Sequence, residues 1–247
     1  MTAASRVGCV RSNNEDVVLA YDKLIRGDVY RTEFMTDYID RFVIAIADGM
    51  GGHNAGEVAS EEVLSNLKFF MSDLPKGLSP EKFHEMIEEW LSYINKIINS
   101  RGYADPSLTE MGTTLVAVLY YGEKYYWVNC GDSRVYRLRD GELTQLSVDH
   151  SLINATGSKK HSNIITNCIG AGCKSSYIDM YDMTSDFLPG DTYMLCSDGL
   201  NDMLPDSEIE ELMLDTPDTQ TAPSPPKQQQ PQTQTDGNMV IEEIPLN

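Results

Sequence analysis

Two hydrophobic periods alternate along the chain, and their order predicts the architecture. Residues 42–47, FVIAIA, form a continuous apolar run rich in β-branched side chains, which predicts a short buried strand. Val17 to Tyr21 reads as an earlier strand, with a hairpin-like excursion reaching residue 41. After a cluster of glycines the period lengthens, and Val58, Val63, Leu64, Leu67, Phe70 and Met71 fall at helical spacing. A second helix follows the turn DLPKGLSP, with Ser79 as N-cap and Pro80 as first helical residue. Its buried face runs through Phe83, Met86, Ile87, Trp90, Leu91, Ile94, Ile97 and Ile98. From Gly112 the period returns to two. TTLVAVLYY, EKYYWVNC and SRVYRLRDGELTQL, with turns at Tyr121-Gly122 and Asp140-Gly141, predict an antiparallel meander. DTYMLCS (191–197) is a further strand, residues 206–214 a short helix, and NMVIEEI (238–244) regains strand character. Strand, two helices and then a run of strands predict an α+β layering.

Composition narrows the setting. A chain of 247 residues makes one large domain or two small ones, and 41% hydrophobic content supports a substantial core. The stretch TPDTQTAPSPPKQQQPQTQT, rich in Pro, Gln and Thr, reads as a linker over 215–235 that separates residues 1–214 from a terminal strand in 236–247. The formal net charge is −19, which offers nucleic acid or an anionic membrane no basic footprint. The five cysteines are odd in number and contain no Cys-x-x-Cys pair, so they read as free thiols of a reducing compartment. The N-terminus has no apolar h-region and no run is long enough to span a bilayer, so the expected location is the cytoplasm.

The chemistry concentrates where strands stop. Asn13-Asn14-Glu15-Asp16 precedes a strand, Asp48 ends FVIAIA before Gly49, Asp132 follows YYWVNCG, and Asp198 ends YMLCS. Each alone is an ordinary turn former, as Asp140-Gly141 is. Carboxylates converging at one sheet end repel one another and call for a cation. Oxygen donors of this kind suit Mg²⁺ or Mn²⁺, and a glycine after Asp48 lets a backbone carbonyl join the set.

The segments VGCVRSNNED, ADGMGGHNAGEVAS, MGTTLVAV, VNCGDSRVYRL, VDHS and LCSDGL follow one another in that order. Together they resemble the successive motifs of the metal-dependent Ser/Thr protein phosphatases of the protein phosphatase 2C type, with the spelling of bacterial members. The resemblance spans Gly8 to Leu204. It implies a β-sandwich of two antiparallel sheets flanked by α-helices, in α-β-β-α layers, with two Mg²⁺ or Mn²⁺ ions at one end. Asp48 would bridge the ions, Glu15 and the Gly49 carbonyl would bind one, and Asp198 the other. Asp132 with Asp198 resembles the pair that holds a third, weaker ion. Asp16 would orient a metal-bound water from the outer shell, and Arg11 matches the arginine that grips the phosphate. His53 either protonates the leaving oxygen or anchors the loop at the helix start, and His150 reads as structural. The implied reaction is direct hydrolysis of phosphoserine and phosphothreonine by a metal-activated water.

Two segments depart from the pattern. The flap region LINATGSKKHS is short, which bears on substrate access. At the C-terminus the family closes with an Asp-Asn pair whose aspartate is a ligand, where this chain has Asp236-Gly237-Asn238. Either Asp236 supplies the ligand past an inserted glycine, or the ligand is displaced and the first metal site weakened. The expected protein is therefore a monomeric phosphatase acting on phosphorylated proteins, opposite a Ser/Thr kinase and its substrates. The alternative is a weakly active or inactive relative that binds phosphoproteins as a regulatory module.

Overall fold

The run at residues 41–47 is apolar throughout because both of its faces are buried. Val43, Ala45 and Ala47 enter one core, while Phe42, Ile44 and Ile46 enter another. A strand with a core on each side is the middle of a layered structure. The computed structural model describes residues 1–8, 12–33, 39–51, 55–157, 164–215 and 238–241.

In chain order the strands and helices are β1 (Thr2–Ala4), β2 (Val17–Ala20), β3 (Lys23–Ile25), β4 (Val29–Arg31), β5 (Arg41–Ala47), β6 (Gly49–Met50), α1 (Ala55–Asp73) and α2 (Pro80–Ala104). There follow β7 (Gly112–Thr113), β8 (Leu115–Tyr121), β9 (Lys124–Cys130), β10 (Arg134–Arg139), β11 (Glu142–Gln145) and α3 (Leu152–Thr156). The last are β12 (Ile169–Gly170), β13 (Asp179–Asp182), β14 (Thr192–Cys196), α4 (Asp198–Asn201), α5 (Asp206–Asp215) and β15 (Asn238–Ile241).

Two six-stranded sheets face each other, with orders β13-β9-β8-β5-β2-β3 and β11-β10-β14-β15-β1-β4. Alternate residues of the first sheet and of β1, β10 and β14 share the core between them. The other face of the first sheet receives α1 and α2. The outer face of the second, through Tyr136, Met194 and Cys196, receives Leu200 of α4 and Ile209 of α5. The α-β-β-α layering expected from the sequence is what the chain adopts. Among the described residues only β15 breaks the antiparallel rule, lying parallel to both β14 and β1. A three-stranded sheet, β12-β7-β6, extends the site end of the first layer.

The helices start and face as their sequences dictate. The Ser79 hydroxyl accepts from the Lys82 N–H, and Pro80 opens α2. Phe83, Ile87, Trp90, Leu91, Ile94 and Ile98 are buried, with Met86 and Ile97 packed at the margin. The expected meander does not form as one sheet. β8 and β9 pair in the first sheet, β10 and β11 in the second, so the chain crosses the sandwich between Cys130 and Arg134. Gly131 makes the crossing at φ +128°, where a Cβ would sit 2.7 Å from the Thr114 side chain. Buried His150 pins this crossing. Its Nδ1 accepts from Gly131 N–H (3.1 Å) and the Asn167 amide (2.8 Å), leaving Nε2 to donate to Asp179 (3.0 Å). Alternation identifies strands, but which sheet a strand joins depends on a single glycine conformation.

Candidate functional site

Strand register brings the acidic strand ends together. Val17 pairs with Ala47, which sets Glu15 and Asp16 beside Asp48. Arg134 pairs with Cys196, which sets the crossing with Asp132 beside Asp198. The two sheets are then tied at this end by side chains. Ser197 Oγ donates to Asp16 Oδ2 (2.7 Å), and Thr114 Oγ1 lies 2.7 Å from Ser133 Oγ.

Asp48 is held through its backbone. Its N–H donates to Thr114 Oγ1 (3.1 Å), while its carbonyl accepts from Thr114 N–H (2.9 Å) and Thr113 Oγ1 (2.8 Å). Its side-chain carboxyl faces the carboxyls of Asp16 and Asp198. Burial, followed by the negative charges of Asp16 and Asp198, pushes the Asp48 carboxyl well above the ordinary carboxylate range. Asp132 is pushed up to about 6, first by burial and then by Asp198, with Asp149 and Asp202 adding to it and its own backbone N–H opposing. The groups acting on Asp48 are all carboxylates. Three acids sharing contacts around Asp48 are stable only with a shared proton or a cation among them.

Gly49 has a structural reason distinct from conformational freedom. It lies back to back with Gly56 of α1, and a Cβ on Gly49 would stand 2.7 Å from the Glu15 carbonyl oxygen. The close approach sets β6 against the first turn of α1 and the Glu15 loop. Fully buried Ser60 completes the contact by donating to the Glu15 carbonyl (2.6 Å). Asp16 is turned by the Asn14 side chain, which accepts its N–H at 3.1 Å.

Of the sequence-predicted residues, Asp16, Asp48 and Asp198 meet directly, and Asp132 adjoins Asp198. Glu15 and Gly49 lie in the same backbone junction. Asp16, expected in an outer shell, touches Asp48 itself. Arg11, His53 and Asp236 lie outside the described residues. Among the described residues no three His, Cys, Asp or Glu side chains close into a finished metal cage. The donor chemistry nevertheless fits a hard divalent cation, since the groups facing Asp48 are carboxylate oxygens. Sequence reading passed over Thr114, Ser197 and Asp202. Thr114 and Ser197 sat inside quoted motifs with no charge to draw notice, and Asp202 follows Asp198 by one helical turn. The flap segment forms α3, capped by Ser151 and ended by Gly157, with residues 158–163 outside the described set. Among the described residues no helix is long and apolar enough to cross a membrane.

A family model described as Protein phosphatase 2C matches residues 24–229. The serine/threonine protein phosphatase PstP of Mycobacterium tuberculosis is 35% identical over 218 residues, which cover 85% of this chain and 38% of that protein. The chain thus spans well under half the length of that relative. The serine/threonine phosphatase stp of Listeria monocytogenes is 35% identical over 182 residues, covering 69% of this chain and 71% of that one. A crystal structure of the PstP catalytic domain, in complex with two manganese ions, superposes with a TM-score of 0.62 at 34% identity, covering 87% of this chain and 84% of the other.

Proposed function

The chain belongs to the protein phosphatase 2C family, and we propose that it hydrolyses phosphoserine and phosphothreonine esters on proteins with divalent metal ions held at the acidic end of its sandwich. The observation that carries this reading is the convergence of Asp16, Asp48 and Asp198, set by strand register and by the Ser197–Asp16 hydrogen bond. Mg²⁺ or Mn²⁺ bound there supplies a water of lowered pKa and screens the charge of the ester. The chain's own residues do the rest. Asp48, whose backbone is held by Thr113 and Thr114, would be shared between the ions. Glu15 and the Gly49 carbonyl would hold one ion and Asp198 the other. Asp16, fixed by Ser197, would orient a water. Asp132 with Asp198 would hold a third, weaker ion. Arg11 offers its planar fork to the phosphate oxygens, and His53 either protonates the leaving oxygen or anchors its loop.

Asp236 lies outside the described residues. In this reading it supplies a further ligand past the inserted Gly237. The alternative is a displaced ligand, a weakened first metal site and a feeble relative that binds phosphoproteins. Residues 1–214 act in this reading as the catalytic domain of a monomer in the cytoplasm, facing a Ser/Thr kinase and its phosphorylated substrates.

The test is turnover of p-nitrophenyl phosphate and of phosphoserine and phosphothreonine peptides, titrated with Mn²⁺, for the wild type and Asp236→Ala. We expect Mn²⁺-dependent hydrolysis of all three substrates and a raised Mn²⁺ requirement in Asp236→Ala, whereas an unchanged requirement removes that residue from the ligand set. No turnover at any Mn²⁺ concentration sinks the enzymatic reading.

A further inference from the structure

Glu15 and Asp16 sit in irregular backbone just before β2, where no sheet ladder holds them. What holds them comes from elsewhere in the chain. Arg26, immediately after β3, is about four-fifths covered, its side chain 21% exposed. Its Nε donates to the Asp16 carbonyl (3.3 Å). Nη1 donates to Glu57 Oε1 (2.6 Å) and, more loosely, to Glu61 Oε2 (3.4 Å). Nη2 donates to the Glu57 carbonyl (2.9 Å) and to Ser60 Oγ (3.2 Å). Ser60 in turn donates its proton to the Glu15 carbonyl. One guanidinium and one hydroxyl thus tie both acidic residues, through their main chain, to the first turns of α1. The same helix start abuts Gly49 through Gly56. Strand register places the Glu15–Asp16 pair beside Asp48, Ser197 holds the Asp16 carboxylate, and this junction, with Arg26 as its clasp, fixes the backbone of the pair against α1.

We propose that Arg26 is a positioning residue for the acidic cluster, holding Glu15 and Asp16 at the separation from Asp48 that a divalent ion requires. The inference rests on the metal-site reading above. The clasp depends on a planar fork that reaches two carbonyls, a carboxylate and a hydroxyl at once, which a lysine ammonium cannot reproduce. It keeps the Glu15–Asp16 segment from relaxing away from Asp48 while no ion is present.

The test measures Mn²⁺ binding by titration calorimetry on the full chain, beside the Mn²⁺ dependence of turnover and the melting temperature, for wild type, Arg26→Ala, Arg26→Lys and Asp48→Asn. Loss of the clasp should weaken Mn²⁺ binding about tenfold, as removal of an outer-shell partner does, with the Mn²⁺ requirement rising more than turnover at saturation falls. Arg26→Lys should remain weakened. If Arg26→Ala keeps Mn²⁺ affinity within about twofold while Asp48→Asn abolishes binding, Arg26 merely stabilises the fold and the proposal is overturned. Full restoration by Arg26→Lys overturns it as well, because charge alone would then suffice. If Asp48→Asn itself leaves Mn²⁺ binding intact, the metal-site reading fails, and the inference falls with it.

Discussion

The strands β5, β8 and β9 run from one end of the sandwich to the other, and the two ends are built on opposite rules. At the end remote from Asp48, aromatic rings close the sheets. Phe42 stacks on Tyr120 (5.3 Å), Tyr125 on Phe187 (4.2 Å), and Phe187 on Tyr193 (5.0 Å). Every charge quoted there has an opposite partner. Arg139 forks onto buried Asp191 at 2.7 and 2.6 Å, and Lys124 meets Asp182 at 2.6 Å. At the other end carboxyl meets carboxyl. Burial alone would raise Asp191 too, but Arg139 and the Leu188 N–H outweigh it and hold Asp191 below its ordinary value, whereas Asp48 is driven up. One end is arranged for stability, and the other gives up stability for a place where a cation can sit.

The two ends therefore respond oppositely to pH. A lowered carboxyl such as Asp191 contributes stability above its unfolded value of about 3.9, and that contribution is lost as pH falls through the folded value. A raised carboxyl such as Asp48 or Asp132 contributes when protonated, below about 3.9, and the contribution is lost as pH rises through its folded value. For Asp132 that loss is complete above about 6.

The largest expected effect is at the acidic end. Asp48→Asn removes the carboxylate proposed to bridge the ions, and Mn²⁺-dependent turnover should fall by about a thousandfold or more. The same variant should melt higher than wild type at pH 7 without metal, because the repulsion is gone. An active Asp48→Asn protein, or one that melts lower at pH 7, would erase the contrast between the ends. Next in size is Phe42→Ala at the aromatic end. It opens a cavity under Tyr120 and should cost about 3–5 kcal/mol in urea unfolding while leaving Mn²⁺ affinity unchanged. A large loss of Mn²⁺ affinity would mean that the ends are coupled through the sheet. The smallest is Asp132→Asn, expected to stabilise the metal-free protein by about 1–2 kcal/mol at pH 7 and by almost nothing at pH 4. Equal effects at both pH values would place its role in packing and not in charge.

Some features were legible in the chain because they are local. FVIAIA, the Ser79-Pro80 start and the face from Phe83 to Ile98 depend on neighbours within a few residues, and each appears where its pattern put it. The strand-ending carboxylates were visible for the same reason. Their convergence was expected from the resemblance and from no local pattern, since Asp16 and Asp198 are 182 positions apart and meet through the register of two sheets. The meander reading failed at Gly131, where an alternating pattern cannot reveal that its next strand belongs to the opposite sheet. Thr114, Ser197 and Arg26 carried no local signal at all. Their importance is the group they reach.

By itself, then, the sequence determined the elements, the two-sided burial of β5 and the kind of atom gathered at the strand ends, because side-chain period and residue chemistry act at short range. Only the tertiary structure decided that Asp48 touches both Asp16 and Asp198, that β15 runs parallel to β14, and that Arg26 clasps the acidic loop to α1. Those outcomes follow from long-range strand pairing and close backbone approach, which no window of the chain contains.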